Sequence, residues 1–128
     1  VVDDSPDMVS FLTEVLADEG FEAVPSSGGA AALKALDRLT AEGRRPVAIL
    51  LDFMMPDMDG AEFAREYRRR PEPHASFIVM SASKSLPHDA TAEIRPSHVL
   101  VKPFDVAQLL DVLGVIKHSQ PLGCEPAA

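Results

Sequence analysis

The chain has 128 residues, 46% of them hydrophobic, with a net charge of −8 and a pI near 4.8, which suits one compact domain and leaves no room for a second. That acidic balance argues against nucleic acid or an anionic membrane surface as a direct partner, since both need a basic face. No apolar run approaches the roughly 20 residues that span a bilayer, no signal peptide opens the chain, and the single cysteine, Cys124, lies in the tail, so a soluble protein of a reducing, cytoplasmic setting is expected.

The chain opens with Val1-Val2, a short apolar run that stops at Asp3-Asp4. Strands usually carry five or six residues, so the natural protein is expected to continue upstream. Met8, Phe11, Leu12, Val15 and Leu16 then fall at the spacing of a helix packed on a sheet, with Ser5, Pro6 and Asp7 as the start and Gly20 as the stop. Phe21 to Val24 reads as a short strand, Ser26 to Gly29 as a loop, and Ala30 to Leu39 as a helix rich in alanine and leucine. The turn Glu42 to Pro46 leads into Val47-Ala48-Ile49-Leu50-Leu51, a run rich in branched side chains that predicts a strand buried on both faces and ends at Asp52.

The turn Asp57-Met58-Asp59-Gly60 precedes a helix over about Ala61 to Arg70, which Pro71 and Pro73 end before the strand Phe77 to Met80. Glu62 and Glu66 stand at helical spacing from Arg65, Arg68, Arg69 and Arg70, so this basic cluster reads as a solvated face with surface ion pairs. Between Ser83 and Ser97 the proline pair Pro87 and Pro96 confines a crossover helix to about eight residues. The strand Val99 to Val101 runs into Lys102-Pro103-Phe104, and a last helix covers about Asp105 to Lys117. Strands and helices alternate five times, the pattern of an α/β domain with a five-stranded parallel sheet doubly wound by helices, because parallel strands need long crossovers.

In such a sheet the carboxyl ends of the strands share one edge, where ligands bind. Asp3 and Asp4, Asp52, Ser81 and Lys102 each stand where an apolar run stops. Singly, each has a bland reading: Asp4 as the cap of the next helix, Ser81 as a turn residue, Lys102 as a surface charge. Together they gather three carboxylates opposite one lysine. Two charges about 4 Å apart interact by roughly 4 kcal/mol at an effective dielectric of 20, so protons or a metal must relieve the cluster. Oxygen ligands in this number, with room for water, suit Mg²⁺. A carboxylate beside Mg²⁺ can act as nucleophile toward a phosphoryl group when the transferred oxygens are neutralised, here by the metal, Lys102 and the Ser81 hydroxyl.

With these residues in place the sequence resembles the receiver domain of two-component response regulators. The resemblance rests on Val1-Val2-Asp3-Asp4, on Asp52-Phe53-Met54-Met55-Pro56-Asp57-Met58-Asp59-Gly60, on Ser81-Ala82 and on Lys102-Pro103-Phe104. It covers residues 1–118 and leaves 119–128 as a tail or linker. It implies a flavodoxin-like fold and a signalling domain, not an enzyme in the ordinary sense, with its own Mg²⁺-dependent autophosphorylation and autodephosphorylation. Asp52 would accept phosphate from a histidine kinase or histidine phosphotransfer protein, and the resulting switch would control an output domain or protein. By position, Asp4 and Asp52 would ligate Mg²⁺ directly with the main-chain carbonyl of Met54, and Asp3 would act through water. Lys102 would pair with the phosphoryl group, Ser81 would move to bond it, and the Lys102-Pro103 peptide would be cis.

The face of the fourth helix, fifth strand and fifth helix is implied as a docking and homodimer surface. Three residues before the lysine, where the family often has tyrosine or phenylalanine, this chain has Val99. The positions said to tune phosphoryl lifetime in the family are Met54 and Ser83. A receiver-like interaction module that works without phosphate is the alternative reading. A phosphatase of the haloacid dehalogenase type would want an aspartate at Met54 and a cap domain for which the chain lacks length.

Overall fold

The computed structural model describes residues 1–44, 46–55, 58–70, 74–82, 88–102 and 104–119, the side chains of 88–90 and 116–119 excepted. In chain order the elements are α1 (Pro6–Asp18), α2 (Gly29–Ala41), β1 (Ala48–Asp52), α3 (Gly60–Arg68), β2 (Ser76–Ser81), α4 (His88–Ile94), β3 (His98–Val101) and α5 (Val106–Ser119). The three strands form a parallel ladder in the order β1-β2-β3, with Asp52 opposite Met80 and Ser81 opposite Val101. Two further extended segments join it through isolated parallel bridges. Val2 pairs with Leu51 on one side and with Ser26 on the other, so the segment holding Ser26 lies outermost, then the opening segment, then β1, β2 and β3.

This order places five parallel segments as the sequence predicts, with one difference. The second segment meets its neighbour at Ser26, not within Phe21 to Val24 alone, because Ser26 N–H donates to Val1 O at 2.8 Å and Asp3 N–H to Ser26 O at 3.2 Å. Helices occupy both faces of the sheet, and the burial of β1 shows why. All five of its residues are buried. Ala48 and Leu50 join Leu12, Leu16, Leu109 and Leu113 under α1 and α5, whereas Ile49 and Leu51 join Leu36, Phe63, Tyr67 and Ile94 under α2, α3 and α4. Side chains alternate along a strand with a period of two, so a continuous apolar run feeds two cores at once.

The helix starts are set locally. Ser5 caps α1 by accepting Met8 N–H, Asp59 caps α3 by accepting Glu62 N–H at 2.8 Å, and Asp105 and Gln108 exchange side-chain and main-chain bonds at the head of α5. The cap reading for Asp4 therefore fails; its neighbour Ser5 does that work. Gly20 and Gly43 stop α1 and α2 in the left-handed region, at φ 86° and 73°.

The arginine cluster reaches further than its helical spacing predicts. Arg69 pairs with Glu66 on its own helix, but Arg70 makes a bidentate pair with Asp37 of α2, and Arg65 and Arg68 reach Glu93 of α4. Such long-range partners leave no mark in local spacing. The tail 120–128, the peptide at Pro103 and the segment 83–87 lie outside the described residues.

At the edge opposite the carboxyl ends, Tyr67 OH accepts Ala75 N–H at 2.8 Å while its ring packs edge-on to Phe77. Tyr67→Phe should lower unfolding stability in denaturant titration by about 1 kcal/mol, because it leaves the Ala75 amide unpaired without changing the packing.

Candidate functional site

The site forms where the winding changes sides. After the opening segment the chain enters α1 on one face of the sheet, and after β1 it enters α3 on the other. The two connections diverge and leave a crevice between the adjacent segments that carry Asp3 and Asp52. Backbone bonds continue past the strand ends and hold the edge: Asp52 N–H donates to Val2 O at 2.9 Å, Phe53 N–H to Met80 O at 3.1 Å and Lys102 N–H to Ser81 O at 2.7 Å.

Within the crevice Asp3, Asp4 and Asp52 each bring a carboxylate oxygen within 4.8 Å of the others. Asp3 and Asp52 are buried and Asp4 is exposed. Asp3 Oδ1 accepts Ser5 N–H at 2.9 Å, which fixes the side chain, while Asp3 Oδ2 is buried without a hydrogen-bond partner among the described residues. Lys102 Nζ stands 3.5 Å from Asp3 Oδ2 and 3.3 Å from Asp52 Oδ1. Asp52 Oδ1 also accepts Met54 N–H at 3.4 Å. Ser81 is buried at the end of β2, and Met54 is 70% exposed beside the site.

Asp3, Asp4, Asp52, Ser81 and Lys102 therefore stand at one edge of the sheet, while Ser83 lies outside the described residues. The burial ranking of the acidic pair, Asp3 inside and Asp4 outside, was not readable from two adjacent aspartates. Nor was the anchoring of Asp3 by the Ser5 amide.

The electrostatics follow from burial. Loss of solvent around Asp52, then the neighbouring Asp3 carboxylate, push its carboxyl up to about 6, against the pull of Lys102 and the Met54 amide. One lysine does not neutralise three carboxylates. Three carboxylates gathered within 4.8 Å of one another, with Asp3 Oδ2 buried and facing Lys102 at 3.5 Å but holding no hydrogen bond among the described residues, fit a divalent cation with oxygen ligands.

This geometry can be set beside known proteins. The family model described as the response regulator receiver domain matches residues 1–114. The chain belongs to the response-regulator receiver domain family. It is 33% identical over 116 residues to sporulation initiation phosphotransferase F of Bacillus subtilis, covering 88% of this chain and 87% of that protein. It is 41% identical over 112 residues to the DNA-binding response regulator MtrA of Mycolicibacterium smegmatis, covering 86% of this chain but 46% of that protein. The chain thus spans about half the length of that relative. Among solved structures, response regulator TrrA of Thermotoga maritima in complex with Mg²⁺ and BeF superposes with a TM-score of 0.72 at 27% identity, covering 90% of this chain and 94% of that one.

The receiver has the doubly wound parallel fold expected, and receivers are signalling domains that take up a phosphoryl group and bind Mg²⁺ at an acidic pocket. No helix among the described residues is long and apolar enough to cross a membrane.

The raised Asp52 carboxyl has a consequence for stability. Its folded value, about 6, lies above the ordinary 3.8, so the folded protein binds more protons than the unfolded chain between those values. Its contribution to stability falls as pH rises through that window, and the deficit is complete above it. In metal-free solution at pH 7, Asp52→Asn should raise stability by about 2 kcal/mol. Thermal melts should show that gain vanishing near pH 4.

Proposed function

We propose that Asp52 is the phosphoacceptor of this receiver and that Lys102 and Ser81 complete its phosphoryl site. The observation that carries the reading is the convergence of Asp3, Asp4 and Asp52 on one point with Lys102 Nζ 3.3 Å from Asp52 Oδ1. An Asp52 oxygen attacks the phosphorus of a phosphohistidine on a histidine kinase or histidine phosphotransfer protein. The new O–P bond forms as the P–N bond breaks, and the electron pair leaves with the imidazole. Small-molecule phosphodonors would serve the same site, which is the sense of autophosphorylation; in autodephosphorylation water attacks the phosphorus, the Asp52 O–P bond breaks, and the carboxylate and inorganic phosphate are released.

Asp4 and Asp52 would hold Mg²⁺ directly, joined by the main-chain carbonyl of Met54, with Asp3 acting through water. Bound there, the cation neutralises charge on the transferred phosphoryl oxygens. Asp3, held by the Ser5 amide, keeps the crevice acidic and orients Lys102 across it. Lys102 then follows the charge from the carboxylate to the phosphoryl group, and the Ser81 hydroxyl donates to another of its oxygens. Phosphorylation replaces about one negative charge with nearly two and adds acceptors. New charge-assisted bonds, at about 1.5 to 3 kcal/mol each, together approach the roughly 5.5 kcal/mol that reverses a 1:99 equilibrium.

The output is a domain or protein joined to or docked on this receiver in the cytoplasm. The α4-β3-α5 face is the surface proposed for docking or homodimerisation. The phosphate-independent module gains no support from a site this complete.

Incubation with acetyl phosphate and Mg²⁺ should add one phosphoryl group by intact mass. Asp52→Asn and metal-free samples should add none, and an adduct surviving in Asp52→Asn would displace the assignment. A second expectation concerns Met54, which is exposed beside the site. Its apolar side chain cannot orient an attacking water, so Met54→Asn should shorten the phosphoryl half-life severalfold, followed by loss of the adduct with time.

A further inference from the structure

Val99 stands where the family often has tyrosine or phenylalanine, so this chain lacks an aromatic ring at that strand position. Val99 is β-branched and half-buried in β3, with one stiff torsion and little reach. The structure places an aromatic ring elsewhere on the route from the site to α4. Phe53 directly follows Asp52, and its main chain is held on both sides. Its N–H donates to Met80 O at 3.1 Å, and its carbonyl accepts Gly60 N–H at 2.9 Å.

Its half-buried side chain lies against Gly60. A Cβ at position 60 would meet Phe53 Cδ1 at 3.2 Å, Phe53 Cα at 3.3 Å and Ile94 Cδ1 at 3.4 Å. Phe53 and Ile94 therefore bear on the same bare face of Gly60.

Ile94 is the last residue of α4 and is fully buried, whereas Thr91, Ala92 and Glu93 are exposed. Among the described side chains of α4 it is the one that enters the core. A seven-residue helix is not stable by its own propensity, so its docking contacts fix its position. Among the described residues those contacts include Ile94 at Gly60, the ion pair of Arg65 with the Glu93 carboxylate and the bond from Arg68 to the Glu93 carbonyl. At the other end of the route, Asp52 Oδ1 shares Lys102 Nζ and Met54 N–H. A group added to that carboxylate changes what the Met54 amide bonds to, and the peptide that would respond is the one joining Phe53 to Met54.

We propose that Phe53 and Ile94, which both bear on the bare face of Gly60, form the route by which the state of Asp52 sets the position of α4, in place of an aromatic residue at position 99. The inference rests on the assignment of Asp52 as phosphoacceptor and adds to it the residues that carry the signal out. Gly60 is a positioning residue here. Alanine at a first helical position favours the helix, so Gly60→Ala keeps the fold while crowding Phe53 and Ile94 by a few tenths of an ångström.

The test is hydrogen exchange over residues 88–94 with and without Mg²⁺ and beryllofluoride, in the wild type, Gly60→Ala, Phe53→Leu and Val99→Ala. Uptake of a phosphoryl group from acetyl phosphate is checked by mass in each. In the wild type and Val99→Ala the exchange rate across α4 should change about threefold or more on adding the probe. Gly60→Ala and Phe53→Leu should take up the phosphoryl group as the wild type does while that change largely disappears. A wild-type response in Gly60→Ala, or its loss in Val99→Ala alone, would overturn the proposal. So would an unchanged α4 in a wild type that is phosphorylated, which leaves the phosphoacceptor assignment standing. Failure of the wild type to take up any phosphoryl group would refute that assignment, and the route with it.

Discussion

Two backbone hydrogen bonds, from Val2 N–H to Leu50 O at 2.7 Å and from Asp52 N–H to Val2 O at 2.9 Å, hold the opening segment against β1. Everything distinctive about the crevice depends on them. They seat Asp3 beside Asp52, although the two residues lie far apart in sequence. The chain leaves the two segments toward opposite faces of the sheet, and in a doubly wound sheet that divergence is what opens a crevice at the strand ends. The price of that arrangement is like charge held close in a partly desolvated place.

That charge is what the site has to work with. Burial and Asp3 make the Asp52 carboxylate harder to keep ionised, while Lys102 partly offsets them. Asp3 Oδ2 is left without a hydrogen bond among the described residues. A cation and a phosphoryl group would each change the balance at atoms already fixed by the sheet edge, with little reorganisation. The rigid core behind the edge supports this. Leu50, Leu51, Ile78 and Val79 are fully buried, so a change at Asp52 is passed to the loops beyond the strands more readily than into the sheet itself.

The helices differ in how firmly they are held. α1 buries Leu12 and Leu16, and α3 buries Phe63, Ala64 and Tyr67. α4 enters the core through Ile94 and is tied by arginines of α3. A short helix with a single described side chain in the core moves at lower free-energy cost than a long one with several. This places the adaptable part of the receiver beside α3 and β3, and leaves α1 and α5 as a steadier wall behind the site.

The sequence by itself determined the kind of fold and the chemistry at its edge. Uninterrupted branched apolar runs such as Val47 to Leu51 require burial on both faces, and each ends at a polar residue, so a parallel sheet must bring Asp3, Asp4, Asp52, Ser81 and Lys102 to one side. These are local patterns, set by residues adjacent in the chain. Only the tertiary structure decided that Asp3 is the buried member of the acidic pair, that Ser26 pairs with Val2, that Arg70 reaches Asp37 and that Phe53 and Ile94 both lie against Gly60. Each of these depends on which segments the fold brings together. Such contacts depend on which faces pack together and how closely, and hydrophobic periodicity reports only that a face is buried, not what it is buried against.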